Sequence, residues 1–142
     1  MNRFDQGTIS TKVKRGMTRV TALKVMPGEY PCVTELGQDY ESLVSAVSIG
    51  TDIRCSVRQM NLEKGVAIFH SWEGLSLGLH GNRRVRRRII PGVFYVVGIE
   101  DDQLRSLTDD ELMKYEKRYW HPRSFSEEEM IDSWFDGLWL ML

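Results

Sequence analysis

The run GVFYVVGI, Gly92 to Ile99, constrains the fold more than any other stretch of this chain. Its β-branched and aromatic residues suit a pleated strand. GVAIFH, Gly65 to His70, is a second continuous apolar run and reads as a more central strand. RVTALKVM, Arg19 to Met26, alternates apolar and polar residues and reads as a strand. CVTEL follows after PGEYP, whose Pro27 and Gly28 suit a turn, so these two strands are expected to pair as a hairpin. DIRCSVRQ, Asp52 to Gln59, also alternates: Ile53, Cys55 and Val57 face one way, and Arg54, Ser56 and Arg58 the other.

Three helices are predicted. Asp39 is a good N-cap for a first helix carrying Tyr40, Leu43, Val44 and Val47 at helical spacing, with Gly50 placed to end it. Thr108 with Glu111, and Ser126 with Glu129, are capping boxes. Leu107 with Leu112, and Phe125 with Met130, are spaced as hydrophobic staples at the same helix starts. His121 and Pro122 are expected to end the second helix, and Gly137 the third. The result is an α+β fold, with a mainly antiparallel sheet of about five to seven strands, one central helix and two C-terminal helices. Residues 1–16 read as a flexible N-terminal arm, 17–121 as one α+β domain, and 122–142 as an amphipathic helix with an apolar tail; Met17 is an alternative start. The Trp72 to Pro91 connection is long for a compact domain, and LSLGL and VRRRII can form a further hairpin around HGN.

Charge is unevenly distributed. The net charge is −1, yet the first 100 residues carry 14 Lys and Arg against 9 Asp and Glu, and the remainder 5 against 11. NRRVRRRII, Asn82 to Ile90, holds five arginines in six positions, Arg83, Arg84, Arg86, Arg87 and Arg88. Two readings stay open. One is a solvated edge protected from mispairing. The other is an anion site, because guanidinium forks grip phosphate bidentately and none of the five charges is lysine. The sequence pI of about 6.3 is low for a nucleic-acid binder, so a compact anion or an acidic protein patch is favoured over nucleic acid. Trp72, Glu73, His80 and Asn82 precede the run among glycines 74, 78 and 81. There a tryptophan ring can stack on a base and polar groups can read its edge; packing on the sheet is the alternative for Trp72.

Catalysis has little support. His70, His80 and His121 lie in no metal-ligand spacing, Glu73 has no obvious second carboxylate, and neither GxSxG nor a P-loop is present. No enzyme activity, metal or cofactor is expected. Cys32 and Cys55 form no CxxC pair and read as reduced thiols of a cytoplasmic protein. No stretch approaches a membrane span, and the N-terminus lacks the apolar core of a signal peptide. At the C-terminus, Met130, Ile131, Trp134, Phe135, Leu138 and Trp139 form an apolar stripe that either packs on the domain's own core or makes a homo-oligomer or partner interface.

The middle of the chain resembles the small domain of unknown function 3846, found in phages and other mobile elements. LKVMPGEYPCVTEL is similar to the family's opening strand and proline turn, and QDYESLVSAV to its helix start. Glu73-Gly74, Asn82-Arg83 and the strand GVFYVVG follow in the family's order. The resemblance covers roughly residues 19 to 121. Ser71 and Trp72 replace an Asn-Glu pair, the run Arg84 to Arg88 is denser, and the helix after His121 is an extension. The resemblance implies an accessory protein of a phage or mobile element and carries no activity. The expected function is a non-enzymatic binding protein that holds a phosphate-bearing nucleotide and so blunts a host defence. A protein inhibitor of a host enzyme is the alternative, and a nucleic-acid binder the third.

Overall fold

The computed structural model describes residues 18–139, with side chains through 135. The elements run β1 (Arg19–Val25), β2 (Cys32–Gly37), α1 (Tyr40–Val47), β3 (Val57–Glu63), β4 (Val66–Ser71), β5 (Gly81–Val85), β6 (Arg88–Pro91), β7 (Phe94–Glu100), β8 (Gln103–Arg105), α2 (Asp109–Arg118) and α3 (Glu127–Trp139). The fold is α+β. The main sheet has the order β2-β1-β7-β4-β3, with β8 joined to β7, and a separate hairpin pairs β5 with β6. All pairings are antiparallel. β7 is the hub: it lies between β1 and β4 and pairs with β8 at its C-terminal end. Its apolar run follows from that position, since five consecutive residues from Phe94 to Gly98 are buried.

Turn chemistry sets these pairings. The Glu29 amide donates to the Met26 carbonyl at 3.2 Å across Pro27 and Gly28, and Gly28 has φ 76°, a type II turn. Asp101 and Asp102, at φ 53° and 62°, make the tight turn into β8. That strand is absent from the sequence-based reading, because Asp-Asp lacks the glycine that usually marks such a turn.

The sheet is covered on both faces. α1, capped by the Asp39 carboxylate on the Ser42 amide at 3.1 Å, lays Leu43 and Val47 against Val20, Ala22, Phe69, Tyr95 and Val97. The opposite face, Leu23, Val25, Ile68, Phe94 and Val96, packs under Tyr115 and Tyr119 and under Val85 and Ile90 of the hairpin. Both capping boxes form, at Thr108/Glu111 and Ser126/Glu129. α3 grips β6 through polar bonds: the Ile89 amide donates to Ser133 Oγ at 3.0 Å, and Trp134 Nε1 donates to the Ile89 carbonyl at 2.8 Å.

Three local expectations need correction. Asp52 to Ser56 are not strand, and β3 starts only at Val57. Ser48 Oγ accepts from the Cys55 amide at 2.9 Å, and Thr51 Oγ1 donates to the carbonyls of Ser48 and Ile53. Side chains thus hold this backbone in place of a ladder, and Ile53 is left exposed. The second hairpin turns at Arg86 and Arg87, not at HGN. Gly81 lies inside β5 because a Cβ there would meet Ile89 Cγ2 at 2.9 Å and Met130 and Phe125 at 3.1 Å. Finally, α3 passes Gly137 and runs to Trp139. The N-terminal arm and the side chains of Leu138 and Trp139 lie outside the described residues.

Candidate functional site

The arginine run does not act as one patch; the hairpin sends its members in four directions. Arg83 is internal, only 2% exposed. Its Nε donates to the Tyr119 carbonyl at 2.9 Å, Nη1 to Asn82 Oδ1 at 2.9 Å and Nη2 to the Glu29 carbonyl at 2.6 Å. Carbonyl dipoles, not a carboxylate, thus solvate this cation, as a buried charge requires; burial lowers its pKa from the ordinary arginine value. Asn82 is buried beside it and donates to the carbonyls of Val25 and Gly92, both at 2.8 Å. This Asn-Arg pair pins the ends of β1, β7 and α2 together.

Arg84 and Arg86 point elsewhere. With Arg83 as part of the wall, they line an open cleft of about 480 Å³ whose other side carries Arg118, Tyr119, His121 and Arg123. Arg84, Arg86, Arg118 and Arg123 thus share one space with the His121 imidazole, while the Arg83 guanidinium is turned inward. Arg86 sits at φ 58°, a left-handed conformation that costs an L side chain about 1–2 kcal/mol. Its Nη2 donates to the Asn61 and Leu62 carbonyls at 2.9 and 2.8 Å, which ties the hairpin tip to β3. Arg118 lies over the Tyr115 ring at 4.9 Å, and Arg84 and Arg123 flank Phe125 at 5.8 and 5.7 Å. Glu129 stands near this wall: Ser126 at the helix cap lowers its pKa most, with Arg84 and Arg123 adding to the effect. It is not among the lining residues.

Arg87 and Arg88 are not among the lining residues. Arg87 is exposed, and its carbonyl accepts from Arg84 Nη1 at 3.0 Å. Arg88 lies over the Trp134 ring at 4.8 Å; Arg58 lies 5.0 Å from that ring and 4.4 Å from Trp72. Trp72, Arg58, Trp134 and Arg88 thus alternate as a ladder of cations and π-faces. Beneath it is His70, fully buried, its ring 5.9 Å from Trp134. Burial pushes its pKa down to about 4, and Arg58 and Arg88 push the same way. Nδ1 donates to the Ser71 carbonyl at 3.1 Å, while among the described residues Nε2 has no partner.

The remaining sequence candidates have other partners. Glu73 accepts from the Ser56 amide at 2.8 Å and from Ser56 Oγ at 3.0 Å, which holds its carboxyl below the usual range. It straps the segment before β3 to the loop after β4. His80 is exposed, and its carbonyl accepts from the Gly92 amide. Trp72, Glu73 and His80 do not line the arginine cleft. On α3, Met130 is buried and Trp134 half-buried, so part of the stripe covers the domain's own core; Ile131 and Phe135 remain exposed.

Sequence reasoning missed Arg118, His121 and Arg123. They lie in KRYWHPR, which reads as a basic helix end. The signal that would have found them is the second basic cluster itself, set after a capped helix that returns the chain to the first. Among the described residues, no helix is long and apolar enough to cross a membrane. A family model described as Domain of unknown function (DUF3846) matches residues 18–120. The match takes in β1 to α2, and therefore Asn82 to Arg86 and Arg118; His121 and Arg123 follow it directly. No curated protein matches the chain, and no solved structure does.

Proposed function

We propose that this chain, which belongs to the DUF3846 family, holds a phosphate-bearing ligand in the arginine cleft. One observation carries the reading: Arg84, Arg86, Arg118 and Arg123 line with His121 a space of about 480 Å³, Arg83 lies in its wall, and among the described residues no carboxylate lines it. Guanidinium forks in that number match the oxygen atoms of a compact, multiply charged anion. The volume falls within the range of small-molecule sites, about 300–1,000 Å³. A costly backbone conformation at Arg86 supports it, since strain of this kind collects where a side chain has a task. The activity we propose is capture rather than turnover. Among the described residues the lining offers cations and a single imidazole, and no carboxylate to act as a base. In the cytoplasm of a host carrying a phage or mobile element, such capture would withdraw a phosphorylated signal from a defence system.

Calorimetric titration with tripolyphosphate tests this. The parent is expected to bind one anion, and the Arg84→Ala/Arg123→Ala variant to lose that binding with its circular dichroism spectrum unchanged. Arg87→Ala is the control, because Arg87 does not line the cleft, and it should bind as the parent does. Absence of binding by the parent, or equal loss in the Arg87 control, would overturn the reading. The exposed Ile131 and Phe135 on α3 favour one alternative, docking on a host protein; capture that depends on these two residues and not on the arginines would replace the cleft reading.

A further inference from the structure

We propose that the ligand of the arginine cleft is a free nucleotide whose base stacks on the exposed Tyr30–Trp120 pair, a step that rests on the cleft reading above. Arg83 is the reason the two rings meet. Its guanidinium donates to the Glu29 carbonyl at 2.6 Å and to the Tyr119 carbonyl at 2.9 Å. Those carbonyls belong to the peptide units that lead into Tyr30 and Trp120. One buried cation thus staples two segments, 90 residues apart in the chain, so that each delivers an aromatic ring to the same place. The ring centroids lie 4.8 Å apart at 35°. Tyr30 is nevertheless 58% exposed and Trp120 41%, so each ring gives part of itself to its neighbour and keeps the rest in water.

Neither ring is among the residues lining the cleft; the pair adjoins it through the chain and through Arg83. Tyr119 and His121, on either side of Trp120, both line the cleft, and Arg83 belongs to the wall as well as to the staple. Cations that grip phosphate next to a bare π-face form the combination that nucleotide units require. Phosphate supplies charge, and any base can stack because every base has a π-face. Stacking alone reads no base edge, so the site is expected to take all four bases. The same geometry disfavours a long strand. Glu127, Glu128 and Glu129 fill the first turn of α3, and Arg84 and Arg123 act electrostatically on Glu129. A polyanion continuing past the cleft on that side would meet Glu129 and the acidic first turn of α3.

The experiment is calorimetric titration of the full chain with ATP, tripolyphosphate and a ten-residue oligothymidylate. ATP is expected to bind about ten-fold more tightly than tripolyphosphate, the increment of one stacked base. Trp120→Ala should abolish that ratio and leave tripolyphosphate affinity unchanged, while Trp120→Phe, which keeps a π-face, should retain most of it. Equal affinity for ATP and tripolyphosphate in the parent, or a ratio untouched by Trp120→Ala, would sink the base-stacking inference and leave the cleft standing. No binding of either anion would remove the cleft reading itself. An oligonucleotide that binds more tightly than ATP per site would overturn the free-nucleotide assignment.

Discussion

Replacing Arg86 by glycine separates stability from function, because the two depend on different atoms of this residue. The backbone at φ 58° is left-handed, and glycine adopts it without the cost an L side chain carries, about 1–2 kcal/mol. The same change deletes the Nη2 bonds to the Asn61 and Leu62 carbonyls, which as exposed hydrogen bonds are worth about 0.5–1.5 kcal/mol each. Glycine also adds about 0.5–1 kcal/mol of chain entropy to the unfolded state. The losses outweigh the gain, so Arg86→Gly is expected to be less stable than the parent by roughly 1 kcal/mol. Arg86→Ala loses the same bonds and keeps most of the strain, so it should be the less stable variant by about 1 kcal/mol, or about 3 °C in Tm for a chain of this length. Both remove one cation from the cleft, and one charge-assisted bond to phosphate is worth about 1.5–3 kcal/mol, at least ten-fold in affinity. Urea denaturation and tripolyphosphate titration on the same preparations read the two effects. If the glycine variant is less stable than the alanine variant, the strain argument fails. If both bind the anion as the parent does, Arg86 is no part of the site.

The buried imidazole gives a pH prediction. His70 has a pKa of about 4 in the folded protein against an ordinary 6.5, so between these values the unfolded chain takes up the proton that the folded one refuses. Stability therefore falls as pH drops through that window, by at most about 3 kcal/mol from this residue, and His70→Leu should flatten the dependence in urea melts from pH 7 to 4. Asn82→Ala strands two carbonyls and one guanidinium nitrogen, and should cost about 2–4 kcal/mol in the same denaturation assay. A loss under 1 kcal/mol would mean that water replaces the amide. Gly81→Ala places a methyl 2.9 Å from Ile89 Cγ2, and should cost about 1–3 kcal/mol by forcing Phe125 and Met130 outward. Faster amide exchange across α3 with β1 to β4 unchanged is the expected signature.

Much of the architecture was readable because its causes are local. A capping box closes within three residues, so Thr108/Glu111 and Ser126/Glu129 are written out in full in the sequence. The run from Phe94 to Gly98 announces a strand buried on both faces by composition alone. Failures came where a pattern had a second physical explanation. The alternation in DIRCSVRQ is genuine, but Ser48 and Thr51 recruit that backbone before a ladder can. HGN carries turn residues, yet its glycine answers to three side chains from β6, α3 and the segment before α3. The true turn falls on Arg86 and Arg87, where no propensity would place it.

The site was legible only as charge. Five neighbouring arginines specify a strong local field, but not which way each side chain turns, and that is fixed by partners far along the chain. Arg83 finds its carbonyls 36 and 54 residues away, Arg86 finds Asn61 and Leu62, and Arg88 finds Trp134. An alternating strand would have set Arg84, Arg86 and Arg88 on one face. The turn at Arg86 breaks that register, leaves Arg84 and Arg86 on the cleft and gives Arg88 to α3. Two arginines of the run then make only part of a site. What completes it is a second cluster, Arg118, His121 and Arg123, brought across by the pin that Asn82 and Arg83 form. The residues with the clearest structural duty in the run are therefore what allows its neighbours to have a chemical one.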